Sequence, residues 1–285
     1  MRYKNSLLLF ALIVISASAV FQWVFTVPKQ AQLINIEPSS AYGGRCYQST
    51  NKLEMAIDVD DEVSLLVWNI YKQQGDNWAA ELSRLSKKAQ LILLQETSLT
   101  SELKQFISES RFIAKSVRAF DAFETSTGVL NLSTSPPQSI CAYIDVEPWL
   151  TLPKSALLAY YRLSNNRVLA VVNIHAINFT FGTKEYQKQL MQLSQILVKH
   201  QGPMIVAGDF NSWSESRLQQ LKSKMSLLGL IDVQFTPDYR RRFVLNNMAL
   251  DHVFYRGLTL KKAEAPLSDA SDHNPMSVVF GINQD

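Results

Sequence analysis

Residues 203–211, Pro-Met-Ile-Val-Ala-Gly-Asp-Phe-Asn, decide how this chain is read. An apolar run begins at Pro203 and finishes in Asp209, Phe210 and Asn211. In extended chain alternate side chains share a face, so Asp209 and Asn211 point one way while Phe210 points into packing. Two oxygen-bearing side chains together at the mouth of a sheet suit a hard cation or a phosphoryl group. Taken alone, the stretch reads equally as a turn, because Asp and Asn favour loops and Ser212 or Ser214 can cap a following helix. What separates the two readings is whether other strands end in the same manner.

They do. Asn69 ends LLVWN, Glu96 ends LILLQE and His175 ends AVVNIH. Asp251 opens a strand in ALDHVFY, and Asp272 and His273 stand just before Asn274, Pro275 and the run MSVVF. If these ends converge, carboxylates, amides and imidazoles from six strands line one cavity. Trp68 and Phe210 alternate with the polar residues and read as core. His252 follows Asp251 directly, so it faces away from it and reads as packing.

The intervening sequence supplies the layers. Val63–Ile70 and Leu91–Gln95 read as strands, separated by a helix that Asp76 can cap and whose Trp78, Leu82, Leu85 and Ala89 share a face. A helix near 99–109 follows. Strand candidates come next at 128–132, 140–146, 156–163 and 168–175. Helices at 184–200, with a stripe of Tyr186, Leu190, Leu193 and Leu197, and at 215–228 bracket the strand that ends in Asp209. Strands at 251–255 and 276–282 complete the pattern. Hairpin-linked strands with helices at intervals predict an α/β chain of the α+β type: a four-layer α/β/β/α sandwich of two mainly antiparallel sheets flanked by helices.

With 285 residues, 47% hydrophobic and 19% charged, the chain can bury a large core and is not intrinsically disordered. A formal net charge of +3 tolerates a phosphate-bearing substrate but lacks the concentrated basic footprint of a dedicated nucleic-acid binder. Cys46 and Cys141 have no metal-ligand spacing; they form a disulfide if the domain is exported, or stand as two thiols if it is not.

Arg2 and Lys4 precede Leu7–Val27, a stretch without a charged residue and long enough to cross a bilayer. Ala17-Ser18-Ala19 also fits a signal-peptide cleavage site, so residues 1–27 read as either a signal anchor or a signal peptide. Both place the rest of the chain on the translocated side, at the inner membrane or in the periplasm. Residues 28–61, with Pro38, Ser39, Ser40, Gly43 and Gly44, read as a tether, and 62–285 as the domain proper.

The ordered motifs Trp68-Asn69, Gln95-Glu96, Asn173–His175, Gly208–Asn211, Leu250–Phe254 and Ser271–Pro275 resemble those of the endonuclease/exonuclease/phosphatase superfamily, the deoxyribonuclease I-like enzymes. WNIYKQQ, KSAL, VVNIHAINF, YRRRF and FYRGL are similar to the bacterial YafD-like branch, whose members without the hydrophobic leader are taken as cytoplasmic. The resemblance implies a metal-dependent phosphoesterase, most simply a phosphodiesterase, working without a covalent intermediate. It implies Glu96 as principal ligand of magnesium or manganese, with Asn69 and Asp272 as further metal contacts. Asp209 and Asn211 would orient the attacking water and phosphoryl oxygens. His273 would act as base or as stabiliser of the phosphorane, steadied by Asp251, and His175 would protonate the leaving oxygen. Lys154, Arg240 and Arg241 are candidates for substrate phosphate. The substrate class stays open among lipid, small-molecule and nucleic-acid phosphodiesters, and no obligate protein partner is implied. A phosphate-binding scaffold without turnover is the alternative from another class.

Overall fold

The structure, a computed structural model, describes residues 2–36, 44–50, 55–180 and 182–283, with the side chains of residues 2–9, 11, 14 and 17 outside the description. Pro38, Ser39, Ser40 and Gly43 of the expected tether therefore lie outside it. The strands are β1 (Phe25–Thr26), β2 (Gln32–Asn35), β3 (Cys46–Gln48), β4 (Glu62–Asn69), β5 (Leu91–Ser98), β6 (Ile113–Arg118), β7 (Phe120–Ala122) and β8 (Thr125–Ser133). They continue as β9 (Ser139–Val146), β10 (Pro153–Arg162), β11 (Val168–His175), β12 (Met204–Asp209), β13 (Ile231–Asp232), β14 (Asp251–Arg256), β15 (Leu258–Glu264) and β16 (Met276–Ile282). The helices are α1 (Arg2–Val24), α2 (Trp78–Ser86), α3 (Ser101–Glu109), α4 (Lys184–Leu197) and α5 (Glu215–Leu227).

One sheet runs β1-β7-β8-β5-β4-β16-β15, with β6 also paired to β8 and β2 to β6; the other runs β13-β14-β12-β11-β10-β9-β3. Each has one parallel pair, β4 with β5 and β11 with β12, and otherwise antiparallel neighbours. Because both faces of each sheet are covered, the central strands are near-continuous apolar runs. Ile205 and Ala207 of β12 enter the core between the sheets, while Met204 and Val206 pack under α4 and α5. On the far side Leu66, Trp68, Ile92 and Leu94 pack under α2 and α3. These are the four layers expected from the sequence.

Local chemistry sets the helix ends. Thr100 caps α3 by accepting from the Leu103 amide, and Ser214 caps α5 by accepting from the Arg217 amide. Asp76 does not cap α2; Asn77 takes the N-cap place in a left-handed conformation, without a side-chain cap bond.

The lead-in is partly built into the sandwich. β2 joins β6, and β3 joins β9 through a disulfide between Cys46 and Cys141, which stand opposite each other in the register. Leu7–Val24 lies within α1, which runs into β1 and its pairing with β7. Among the described residues no helix is long and apolar enough to cross a membrane.

Connectivity gives the sandwich a functional end. The parallel pairs finish there, at Asn69, Ser98, His175 and Asp209, and β14 and β16 begin there.

Candidate active site

Strand register alone sets three side chains level: His175 stands opposite Asp209, and Asp209 opposite Asp251. From the facing sheet come Asn69, at the end of β4 and paired with Gln95, and then Glu96. Glu96 lies in an irregularity of the β5–β8 pairing, between Leu94 and Thr97, and has φ of 52°. Such a bulge re-aims one side chain, here a carboxylate at the sheet mouth. Asn211 likewise has φ of 47°. Gly208 makes the approach of β12 to β11 possible, since a Cβ there would stand 2.0 Å from the Ile174 carbonyl oxygen and φ is +141°.

The two sheets meet through polar contacts. The Asn69 amide donates to Asp209 Oδ2 at 3.1 Å, and the Asn211 backbone amide donates to Asp209 Oδ1 at 2.9 Å. Beneath them Gln95 donates to Asn173 at 2.7 Å, and Asn173 to Asn131 at 2.9 Å. Asn131 is buried in this network.

The opposite wall is a histidine–carboxylate pair. His273 Nδ1 and Asp251 Oδ2 are 2.7 Å apart and both are buried. Burial opposes the imidazolium, but Asp251, by charge and hydrogen bond, and then Asp209 and Asp272 lift its pKa to about 10. Burial raises the Asp209 carboxyl, against the pull of His175 and His273. The Trp68 indole donates to the His273 carbonyl at 2.8 Å, and the Ser271 hydroxyl to the Asn69 carbonyl at 2.7 Å. The loop carrying His273 is thus fastened to the strand carrying Asn69. Trp68 is core, as expected, and also positions the site.

Basic side chains crowd Glu96. Lys72 forms an ion pair with it, and His175 Nε2 lies 3.7 Å from Glu96 and 3.5 Å from Asp209. Burial pushes the Glu96 carboxyl up, but His175, Lys72 and Lys154 together hold it at about 2. His175 itself drops to about 4, through burial and then the charge of Lys154, so it is neutral near pH 7. Lys154 Nζ is 2.9 Å from His175 Nε2; with the imidazole neutral, the ammonium donates and Nε2 accepts.

Not every expected residue joins this cluster. Asp272 is exposed at its mouth, with Ser271 Oγ 3.5 Å away. Arg240 is buried and commits its guanidinium to Asp238, at 2.9 Å from both Nε and Nη2, and to the Asp251 carbonyl at 3.0 Å. Those bonds brace Asp251 and leave Arg240 a positioning role; Arg241 is exposed. His252 is packed among Phe210 and Phe254 and lies 2.9 Å from Ser212 Oγ, apart from the cavity as alternation requires.

Two contributors escaped the sequence reading. Lys72 lies in WNIYKQQ, but its reach to Glu96 depends on Tyr71, Lys72 and Gln73 all taking positive φ, of 49°, 51° and 57°. Arg217 reads as an ordinary helix residue, yet it is fully buried and donates to the Ile177, Asn178 and Asn211 carbonyls, tying together the loops after β11 and β12.

A model of the endonuclease/exonuclease/phosphatase family matches residues 66–273, a span that contains every residue of this cluster. The chain belongs to that family. A UPF0294 protein of Vibrio cholerae is 49% identical over 272 residues, covering 95% of this chain and 96% of that one. Among solved structures, a family member from Bacteroides vulgatus aligns at TM-score 0.62 with 14% identity, over 78% of this chain and 99% of its own. ANGEL2, a 2',3'-cyclic phosphatase, aligns at 0.62 with 14% identity over 77% and 95%. D. rerio TDP2, complexed with a single-strand DNA product, aligns at 0.56 with 17% identity over 78% and 99%. These likenesses show a shared fold.

Members of the family are hydrolases of phosphoester bonds that use divalent metals. The donors here fit such an ion. Ligand atoms of Asp209, Asp251 and His273 lie within 4.8 Å of one another, and Glu96 and Asp209 both approach one nitrogen of His175. Buried carboxylates that draw lysines and imidazoles around them are the oxygen-rich anionic set a hard cation needs. Of the expected metal contacts, Glu96 stands among these donors, Asn69 donates to Asp209 and Asp272 is exposed.

Proposed function

We propose that the chain is a divalent-metal-dependent phosphodiesterase, hydrolysing its substrate by direct attack of water. The observation that carries this reading is the convergence of Asn69, Glu96, His175, Asp209, Asp251 and His273 in one polar cluster within a matched family span. Glu96 would be the principal residue holding magnesium or manganese, which when bound would supply Lewis acidity toward a phosphoryl oxygen. Asp209, its two oxygens fixed by Asn69 and Asn211 and its pKa raised by burial, takes the proton of the attacking water. His273, its pKa lifted by the adjacent Asp251, would stand beside the phosphorane as a stabilising positive charge. Lys154, braced on the neutral His175, faces the leaving oxygen as a proton-bearing cation. Asp272 and Arg241, exposed at the mouth, are left to meet substrate.

The same reading locates the protein at a membrane or outside the cytoplasm. Phe10, Leu12, Ile13 and Ile15 of α1 are exposed apolar side chains, and the Cys46–Cys141 disulfide suits an oxidising compartment. Nucleic acid is the second substrate reading, favoured by the net charge of +3.

The test is turnover of bis(p-nitrophenyl) phosphate by the full chain with magnesium, with manganese and with chelator, beside Glu96→Ala. Metal-dependent turnover that vanishes in the variant supports the reading. A folded protein that binds phosphate and turns over nothing with either metal points instead to a scaffold.

A further inference from the structure

The loops at the functional end of the sandwich carry exposed apolar side chains at their tips. Trp149 and Leu150 lie between β9 and β10, Phe179 follows β11, Val244 and Leu245 precede β14, and Leu267 follows β15. Val244 and Leu245 are 87% and 84% exposed, the most exposed large apolar residues described. Antiparallel register puts all four loops at the end where Asp209 and His175 finish their strands. Single exposed apolar residues are ordinary; one or two on each of four loops at the same end of the sandwich are not.

These loops form one connected rim. The Asn178 and Phe179 amides donate to Glu147 at 2.7 and 3.3 Å, the Trp213 indole donates to Asn178 at 2.9 Å, and Asn246 donates to the Trp213 carbonyl at 2.8 Å. On the other side Asn274 links the Ser268 amide to the Tyr239 carbonyl. The tips therefore stand on a braced frame.

α1 enters the fold at the same end. β1 pairs with β7 at Ala122 and Asp121, β7 with β8 at Thr125 and Ser126, and β8 with β5 at Ser98, just past Glu96. That places β1 three strands from β5, roughly 14 Å across the sheet. Trp23, exposed near the end of α1, packs edge-on against exposed Phe123 at 5.7 Å between ring centroids. Arg241 is exposed three residues before Val244, on a rim that also exposes Asp269 and Asp272, and Asp60, Asp61 and Glu62 are exposed at the opposite end.

We infer that this rim docks on a lipid bilayer, so that the polar cluster faces the headgroup layer and the substrate is a membrane-resident phosphodiester. Apolar tips with an adjacent cation are what partition into the boundary between headgroups and acyl chains. A phosphate at headgroup level then lies beneath the rim, where Lys72, Lys154 and the carboxylates wait. The substrate assignment rests on the phosphodiesterase reading above; the docking surface does not.

The experiment separates the two. The chain has two cysteines, joined to each other, so Leu245→Cys in the full chain gives a single thiol for an environment-sensitive fluorophore, with Met55→Cys, 67% exposed near the opposite end, as control. On mixed phosphatidylcholine/phosphatidylglycerol vesicles, the probe at 245 shifts to the blue and brightens while that at 55 does not. Equal responses, or none at 245, overturn the docking surface whatever the catalytic result. In a second arm Val244→Asp/Leu245→Asp lowers hydrolysis of vesicle phospholipid by about tenfold and leaves bis(p-nitrophenyl) phosphate turnover unchanged. Unchanged hydrolysis on vesicles, or single-stranded DNA cleaved faster than any vesicle lipid, overturns the substrate assignment. Failure to turn over even the soluble diester overturns the phosphodiesterase reading and the substrate assignment with it, while the fluorescence arm still decides the surface.

Discussion

The ammonium of Lys72 rests on Oε2 of Glu96, the carboxylate held at about 2 at the mouth of β5. A lysine there occupies the flank from which a divalent cation would approach, and competes with it for the same oxygen. Lys72→Met therefore tightens manganese binding, by about tenfold, or about 1.4 kcal/mol, in calorimetric titration of the otherwise unchanged chain. Weaker or unaltered binding would show that Lys72 lies outside the ion's reach.

The pairing of His273 with Asp251 has a defined pH signature. The folded-state pKa of about 10 lies above that of a free histidine, so the pair stabilises the fold fully below about pH 6.5 and loses that contribution as pH climbs through about 10. In Asp251→Asn the imidazole should titrate near the ordinary histidine range, and the alkaline fall in turnover should move down with it. Histidine-resolved NMR titration of both proteins reads this directly. A His273 resonance that titrates alike in both would remove Asp251 as the cause.

Trp68→Phe keeps the ring in the core but deletes the indole donor to the His273 carbonyl. A buried acceptor left unsatisfied costs about 1–3 kcal/mol. Denaturant unfolding should register that loss, and kcat should drop more than KM rises because the His273 loop is less fixed. A variant equal to the parent in both would make the bond incidental.

Gly208→Ala meets a backbone it cannot share, with its Cβ 2.0 Å from the Ile174 oxygen and φ at +141°. Strain and overpacking together should cost on the order of 3 kcal/mol, seen as a lower midpoint in chemical unfolding. A stability within a few tenths of the parent's would mean that β12 can slide away from β11.

The Cys46–Cys141 bond closes 95 residues of sequence and fixes β3 to β9. Replacing both cysteines by serine should lower unfolding free energy by about 2–5 kcal/mol, and reductant should do the same to the parent while leaving the double variant unaffected. An equal response of both proteins to reductant would mean that the bond does not form in solution.

Much of this site was legible from alternation. Asn69, Glu96, His175, Asp209 and Asp251 could be picked out because each interrupts or ends an apolar strand, and strands covered on both faces have little room for such residues unless they gather at an edge. The exclusion of His252 followed from the same rule, and its packing against Phe210 and Phe254 bears that out. The rule fails off the strands. Arg240 reads as a phosphate clamp from its neighbours in sequence, yet Asp238, two residues away, and the Asp251 carbonyl take its donors. Asp272 and His273 are adjacent in sequence, but only the second turns inward. Lys72 gave no signal, since its position depends on three successive residues in a conformation that no side-chain pattern reports.

The sequence by itself determined the family, the four layers and the residues that gather at one end of the sandwich, because strand periodicity and the order of the motifs are properties of the chain. Only the tertiary structure decided what those residues are to one another. Asn69 and Asp209 are 140 positions apart, His273 and Asp251 are 22, and Trp68 and His273 are 205. Protonation and ion pairing depend on distance and burial in space, so a histidine held near 10 and another near 4 look alike in sequence and diverge only once their neighbours are in place.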